Sequence, residues 1–181
     1  MNPIVLAPHG DDEALFVAYT CIRERAHVII CSHDADPAYR KVRSLETTAA
    51  ISILGCSHHE WPIEAGKIVW DDAKTKLEPW NSTSLVASTP DRVYAPAVNP
   101  EGHEEHNLIG NLAIAVFGDK VIPYGTYAPR GQREVLAQEV VPTAAEIQLK
   151  LQAIACYRTQ MENASTRPWF FDLLDMREWL G

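Results

Sequence analysis

The sequence has no long apolar run and no excess of basic residues. A membrane-spanning helix needs about 20 consecutive apolar residues, so we expect no membrane span. The 181 residues include 16 Lys and Arg against 24 Asp and Glu, and the net charge at pH 7 is −8. Because a negatively charged protein repels phosphate backbones, this balance argues against non-specific nucleic-acid binding.

Three motifs of common enzyme classes are also missing. The chain contains no GxGxxG after a predicted strand, no P-loop and no GxSxG. The first two cradle the phosphates of dinucleotides and ATP, and the third presents a nucleophilic serine. The sequence therefore gives no support for a dinucleotide-dependent enzyme, an ATPase or a serine hydrolase.

The four cysteines are widely spaced, and no two of them form a CxxC pair. Each lies in an apolar-rich stretch, so we expect reduced and mostly buried thiols rather than a disulfide framework. The first 13 residues have no basic segment before their short apolar run, so we expect no signal peptide and a cytoplasmic protein. With 46% apolar and 22% charged residues, the composition predicts one globular domain over residues 1–181.

Short apolar runs alternate with longer segments of helical period, which predicts an α/β protein with a mostly parallel sheet. The apolar runs predict strands at residues 3–7, 27–31, 56–61, 92–96 and 120–127. The segments of helical period predict four helices. The first begins at the acidic turn of residues 10–13 and ends near residue 23, and the others cover residues 38–54, 103–117 and 142–160. Less regular patterns favour a helix around residues 72–77, a turn at 129–131, a strand over 133–141 and an aromatic-rich closing helix over 169–180.

Two clusters of acidic residues and histidines follow predicted strands. The first, at residues 7–13, reads APHGDDE, and the second, at residues 100–106, reads PEGHEEH. Ligands of open α/β sheets bind beyond the carboxyl ends of the strands. Both clusters are therefore placed where a functional site is expected.

The two clusters together contain the donors of a catalytic zinc site, which has three protein ligands and one open position. His9, Asp12 and His106 would supply these ligands. His103 lies three residues before His106 at the start of a predicted helix, so both histidines share one face. Two imidazoles and one carboxylate also suit Fe(II).

The sequence resembles the PIG-L/LmbE-type zinc-dependent de-N-acetylases. That family carries an AHPDDE-like motif after its first strand and an HPDH-like motif later, where this chain has APHGDDE and GHEEH. Residues 43–55 are similar to the family's R-x-x-E helix that ends in LG, residues 90–96 to its RPDVV strand, and residues 150–160 to its K-x-x-A…Y-x-S-Q segment. The chain departs from the family at Gly10, where Pro is usual, and at Glu104 and Glu105, where Pro and Asp are usual.

The resemblance implies a Rossmann-like three-layer sandwich and a zinc-dependent hydrolase that removes an N-acetyl group from an amino-sugar-like small molecule. One Zn²⁺ per chain would be held by the three ligands above, and Asp11 would be the general base. His103, steadied by Glu105, would donate a proton to the amine or stabilise the oxyanion. Arg43 would contact the substrate. An ion pair with Glu46, three residues later, explains the presence of an arginine at this position equally well.

Several alternatives stay open on the residues alone. A metal-dependent hydrolase of another bond, such as a phosphoester, is one, and a non-catalytic metal-binding module is another. Glu13 either hydrogen-bonds to a metal-binding residue and so orients it, or caps the helix that begins at the acidic turn. His33, Asp34 and Asp36 either line the crevice or form a solvated turn. The sequence does not indicate an oligomeric state.

Overall fold

A computed structural model of the chain describes residues 2–82, 89–127, 134–163 and 176–181. Within these ranges the strands form one seven-stranded sheet in the order β3-β2-β1-β4-β5-β7-β6. The strands are β1 (Ile4–Ala7), β2 (His27–Ile30), β3 (Ser57–Glu60), β4 (Val93–Pro96), β5 (Val121–Tyr124), β6 (Gln138–Val140) and β7 (Glu178–Leu180).

The first five strands are parallel, and β6 and β7 form an antiparallel extension beyond β5. The fully buried β1 lies between β2 and β4, as its continuous apolar run predicts. The strands β2 and β3 lie on one side of β1, and β4 and β5 lie on the other. This reversal of strand order creates a crevice at the carboxyl ends of β1 and β4, where open α/β sheets bind ligands.

Helices cover both faces of the sheet. They are α1 (Asp12–Phe16), α2 (Ala18–Glu24), α3 (Pro37–Leu54), α4 (Trp70–Leu77), α5 (Glu104–Phe117), α6 (Ala144–Ile154) and α7 (Arg158–Glu162). Val5 and Ala7 of β1 belong to a core with α1, α2, α3 and α6, whereas Ile4 and Leu6 belong to a second core with α4 and α5. Successive side chains of a strand point to opposite faces, so the central strand contributes to both cores and the predicted three-layer sandwich is confirmed.

The predicted first helix is interrupted. Instead of one helix up to residue 23, the structure has α1 and α2 with a break at Val17, whose backbone has φ −142°. The predicted helix over residues 142–160 is likewise divided into α6 and α7. Both predictions were right about helical character and wrong about continuity.

The closing helix predicted over residues 169–180 is wrong where it can be compared, because Glu178–Leu180 form β7. This segment pairs with β5 and β6, so its backbone groups are satisfied by the sheet. Residues 169–175 and the predicted turn at 129–131 lie outside the described residues. The strand predicted over residues 133–141 is present as the shorter β6.

All four cysteines have free thiols, and Cys21 and Cys31 are buried, whereas Cys56 and Cys156 are half-buried. No helix within the described ranges combines the length and the apolar character that crossing a membrane requires.

Candidate active site

The loops after β1 and β4 meet at one edge of the sheet, because these two strands are parallel neighbours. The loop after β1 carries His9 and leads into α1, whose first residue is Asp12. The loop after β4 leads into α5, whose N-cap is His103. The ring Nδ1 of His103 accepts a hydrogen bond of 3.2 Å from the backbone N–H of Glu105. The two clusters singled out in the sequence therefore come together in space.

The three predicted ligands converge on one point. His9, Asp12 and His106 each offer one atom to a metal, and these atoms lie within 4.8 Å of one another. Asp12 Oδ2 is central, at 3.3 Å from His9 Nδ1 and 3.3 Å from His106 Nε2. We refer to these three residues as the ligand group.

The surroundings of His106 fit a bound cation. The residue is only 1% exposed, and neither ring nitrogen has a hydrogen-bond partner within the described part of the chain. Buried polar atoms without a partner are rare and costly. Two imidazoles and one carboxylate are a donor set of catalytic zinc sites and also suit Fe(II). The ligand group therefore fits one divalent cation.

Charges within the ligand group perturb its titration. Burial would raise the pKa of Asp12, but the rings of His106 and His9 hold that pKa below its usual value. Burial would lower the pKa of His9, but the carboxylates of Asp12 and Glu105 raise it to about 10. Because a metal ligand must be deprotonated, a cation that binds His9 displaces a proton from its ring.

Asp11 is adjacent to Asp12 in sequence but contacts a different partner. It is buried, and its Oδ2 accepts a hydrogen bond of 3.3 Å from Arg43 Nη2. Burial raises the pKa of Asp11 to about 6, although the Arg43 guanidinium acts in the opposite direction. A carboxylate with a pKa near neutrality suits a general base, because it accepts a proton and releases it again at physiological pH.

Arg43 makes more contacts within the protein than the sequence predicts. The predicted ion pair with Glu46 is present, with Nη1 at 3.6 Å from Oε2. In addition, the Arg43 Nε lies 3.5 Å from Asp34 Oδ2, and Nη2 donates to the Gly10 carbonyl. The guanidinium also borders the cavity described below. A contact of Arg43 with substrate stays a prediction.

The carboxylate of Glu105 does not support His103 as expected. Glu105 Oε2 is hydrogen-bonded to His9 Nε2 at 2.8 Å, and Oε1 accepts a hydrogen bond of 2.8 Å from the Gly66 N–H. Both oxygens are therefore occupied by groups other than the His103 ring. Since His9 Nδ1 faces Asp12 and His9 Nε2 faces Glu105, Glu105 orients the His9 ring within the ligand group.

His103 borders the same space. Its ring centroid lies 5.2 Å from that of His9 and 5.1 Å from that of His106. Burial, and repulsion from the His9 and His106 rings, lower the pKa of His103. His103, His9 and Glu105 form a second set of potential metal-binding atoms, but this set shares His9 with the ligand group and lacks its buried, unpartnered imidazole.

Glu13 hydrogen-bonds to the backbone just before α1 and to Tyr157, and neither of these partners belongs to the ligand group. Its Oε2 accepts a hydrogen bond of 3.1 Å from the Asp11 N–H, and its Oε1 accepts one from the hydroxyl of Tyr157. Burial raises the pKa of Glu13 to about 8, against the lowering effect of the Tyr157 hydroxyl.

A cavity of about 430 Å³ opens over the ligand group. One wall is apolar and includes Leu15, Phe16 and Tyr127. The Tyr127 ring centroid is 5.3 Å from that of His106 and 5.8 Å from that of Phe16. Tyr127 was not identified from the sequence, although its place after β5 at the carboxyl edge of the sheet could have indicated it.

The remaining polar candidates divide between the cavity and other roles. His33 and Asp34 line the cavity, whereas Asp36 caps α3 by accepting a hydrogen bond of 2.8 Å from the Ala38 N–H. His58 and His59 lie on β3 and belong to neither set of potential metal ligands in the described residues.

The fold is a three-layer α/β sandwich with a candidate metal site at the carboxyl edge of its parallel strands. No family model matches the chain, and no curated protein matches its sequence. Solved structures do match. The N,N'-diacetylchitobiose deacetylase of Pyrococcus horikoshii superposes with a TM-score of 0.71 at 17% identity, over 94% of this chain and 74% of that chain.

Two further structures show how widely this fold is used. A zinc-inhibited form of a teicoplanin deacetylase has a TM-score of 0.63 at 16% identity, over 99% of this chain and 97% of that chain. The 4-carboxy-2-hydroxymuconate hydratase of Pseudomonas putida KT2440 has a TM-score of 0.66 at 14% identity, over 94% of this chain and 83% of that chain. The resemblance to the PIG-L/LmbE-type deacetylases is thus confirmed at the level of the fold.

Proposed function

We propose that the chain is a metal-dependent N-deacetylase that releases acetate from an amino-sugar-like small molecule. The observation that carries the proposal is the position of Asp11, a buried carboxylate with a pKa of about 6, beside a ligand group that fits a divalent cation. A purely metal-binding module has no need for a base at this place. The deacetylases among the similar structures support the amide of an N-acetyl group as the bond that is cleaved.

The ion, when bound by His9, Asp12 and His106, supplies a Lewis acid that polarises the amide carbonyl and makes water more acidic. Asp11 accepts a proton from the attacking water, and Arg43 holds the Asp11 carboxylate at the edge of the cavity. His103 borders the cavity on the other side and either stabilises the oxyanion or protonates the departing amine. Glu105 holds the His9 ring in place.

The cavity favours a small polar substrate with one apolar face. Asp34 and Glu60 offer carboxylate acceptors to hydroxyl groups, and Phe16 and Tyr127 offer an apolar wall on which a sugar ring can pack. Carboxylates near the reacting amide also favour the cationic amine product. The ion is zinc or Fe(II), and the zinc-inhibited form of the teicoplanin deacetylase is a reason to assay both.

One experiment tests this function. The purified protein is analysed for metal, loaded with zinc or Fe(II), and assayed for acetate release from a panel of N-acetylated sugars and nucleosides. We expect acetate release by the loaded protein and very little by the Asp11→Asn variant loaded with the same ion. Hydration of an unsaturated carboxylic acid without acetate release would assign the chain to the chemistry of the Pseudomonas putida hydratase instead. Hydrolysis of phosphoesters alone would also contradict the proposal.

A further inference from the structure

The peptide group that joins Gly10 to Asp11 is held by side chains at both of its polar ends. Its carbonyl oxygen accepts a hydrogen bond from Arg43 Nη2. Its N–H, which belongs to Asp11, donates a hydrogen bond of 3.1 Å to Glu13 Oε2. A peptide group fixed in this way cannot rotate without breaking a buried hydrogen bond, and such losses are costly.

The backbone of Asp11 needs this support. Its φ is 144° and its ψ is −24°, a conformation that residues with a side chain rarely adopt. Such conformations persist only where the surrounding structure enforces them, and they are concentrated at functional sites. Here the conformation allows two adjacent carboxylates to serve different partners, since Asp11 contacts Arg43 whereas Asp12 contacts His9 and His106.

Tyr157 connects the two side chains that hold this peptide group. It lies in the turn between α6 and α7 and is fully buried. Its hydroxyl donates a hydrogen bond to Glu13 Oε1, and its ring centroid lies 5.1 Å from the guanidinium carbon of Arg43. Glu13 is itself fully buried, so its carboxylate depends on these hydrogen bonds for its orientation.

We propose that Tyr157 and Glu13 are positioning residues that, with Arg43, hold the Gly10–Asp11 peptide group so that the Asp11 carboxylate faces the substrate. We refer to these three residues as the peptide clamp. The proposal rests on the proposed function, because it assigns the clamp to the base of that reaction. Tyr157 is 146 residues away from Asp11 in the sequence. The segment after α6 therefore contributes to the geometry of the site through Glu13, which is not a member of the ligand group.

The Tyr157→Phe variant tests the clamp, because phenylalanine keeps the ring beside Arg43 and removes the hydroxyl. We expect kcat to fall about tenfold, whereas KM and metal content stay unchanged. The matched control is Tyr94→Phe, which removes the hydroxyl of another buried tyrosine that donates to a glutamate, in this case Glu24 at 2.8 Å. A similar loss of kcat in the control would overturn the proposal, because it would indicate a general effect on folding.

A double-mutant cycle separates positioning of Asp11 from other effects. If Tyr157 acts through the Asp11 carboxylate, Tyr157→Phe lowers the residual activity of Asp11→Asn by less than twofold. An undiminished tenfold loss in the Asp11→Asn background would show that Tyr157 acts elsewhere, and it would overturn the proposal.

A measurement without substrate distinguishes failure of the clamp from failure of the proposed function. Glycine tolerates the backbone of Asp11 better than alanine does, so Asp11→Gly is expected to melt at a higher temperature than Asp11→Ala. Adding Tyr157→Phe should reduce this difference, because the backbone can then relax. If the difference in melting temperature is present and Tyr157→Phe reduces it, but the protein cleaves no amide, the peptide clamp is supported and the proposed reaction is wrong. If Asp11→Gly and Asp11→Ala have the same melting temperature, or if Tyr157→Phe leaves the difference between them unchanged, the peptide clamp does not hold the Asp11 backbone. This conclusion does not depend on the activity.

Discussion

His106 Nε2 lies 3.3 Å from Asp12 Oδ2, and both residues are at most 3% exposed. The carboxylate follows β1 and the imidazole is in the first turn of α5, so the contact joins two elements that are far apart in the sequence. Within the described ranges, His106 Nε2 faces this carboxylate without hydrogen-bond geometry, and Nδ1 has no hydrogen-bond partner. A cation between these groups would satisfy both, and this relationship leads to the first prediction.

Removal of metal is expected to destabilise the protein as well as to abolish activity. A ligand that binds only the folded state stabilises it by about 2.7 kcal/mol at a free concentration 100 times its Kd. A chelator should therefore lower the melting temperature of the wild type and have no effect on His106→Ala. His58→Ala, which changes a histidine on β3 outside the ligand group, is the control and should respond like the wild type. A wild-type melting temperature that does not respond to chelator or added zinc would contradict the ligand assignment.

The two adjacent aspartates are expected to fail in different ways. Asp12→Ala removes a ligand, so it should lose metal and, as a consequence, activity. Asp11→Asn is nearly isosteric and should retain metal, but its turnover should fall about 10²–10⁴-fold, the usual contribution of a general base. Metal stoichiometry measured beside turnover decides between these outcomes. If Asp11→Asn loses the metal and Asp12→Ala keeps it, the two roles are reversed.

Metal affinity is expected to rise with pH. The pKa of His9 is raised to about 10, so the His9 ring of the metal-free protein carries a proton at pH 7 to 9, and a cation must displace it. Below the raised pKa, each unit of pH should therefore change the affinity about tenfold, with weaker binding at lower pH. Calorimetric titration in buffers with different ionisation enthalpies measures the released proton directly. Binding at pH 8 without proton release would show that His9 is already neutral.

Replacement of Gly110 in α5 is expected to destabilise the protein. A Cβ atom at this position would lie 2.4 Å from the Pro96 carbonyl oxygen of β4, and a backbone atom cannot move aside as a side chain can. Gly110→Ala should cost about 1–3 kcal/mol in the free energy of unfolding by overpacking. It should also weaken metal binding, because His106 is one turn earlier on the same helix. Urea denaturation measures the first effect, and Asn111→Ala on the exposed side of α5 is the control. Unchanged stability of Gly110→Ala would mean that the helix and the strand can separate at little cost.

The parts of the fold that the sequence predicts correctly are those specified by local pattern. The apolar runs of β1, β2 and β4 and the capping Gly55 of α3 are such features, and the ligand group follows from two short motifs at strand ends. The errors concern features that depend on distant partners. The carboxylate of Glu105 bonds to His9, 96 residues earlier, and not to His103, the partner expected from the sequence.

The C-terminal strand β7 is the clearest error of this kind. The sequence predicts an aromatic-rich helix over residues 169–180. Glu178 is instead buried, where its carboxylate accepts hydrogen bonds from the Tyr19 N–H and from Lys150 Nζ. These partners are at the start of α2 and in α6, so they support the strand from two helices. Long-range contacts of this kind cannot be read from a local pattern.

The buried pair of Lys150 and Glu178 is therefore expected to secure the C-terminal strand. Lys150 Nζ donates hydrogen bonds of 2.8 Å to Glu178 Oε1 and 2.9 Å to the Leu15 carbonyl, and both charged residues are at most 1% exposed. Removing one partner leaves the other charge buried, which typically costs about 3–5 kcal/mol, whereas replacing both is often nearly neutral. Lys150→Met should thus lower the free energy of unfolding by about this amount.

Addition of Glu178→Gln to Lys150→Met should restore much of the loss, because the amide is neutral and its oxygen still accepts from the Tyr19 N–H. The control is the more exposed pair of Arg23 and Glu146, which also joins α2 to α6. Breaking that pair with Arg23→Gln should cost at most about 1 kcal/mol, since the N–H and the hydroxyl of Thr143 still donate to the remaining carboxylate. Denaturant unfolding of the wild type and of these three variants measures these differences. If Lys150→Met costs no more than Arg23→Gln, or if the double variant is less stable than Lys150→Met, the buried pair does not secure the strand in the way described.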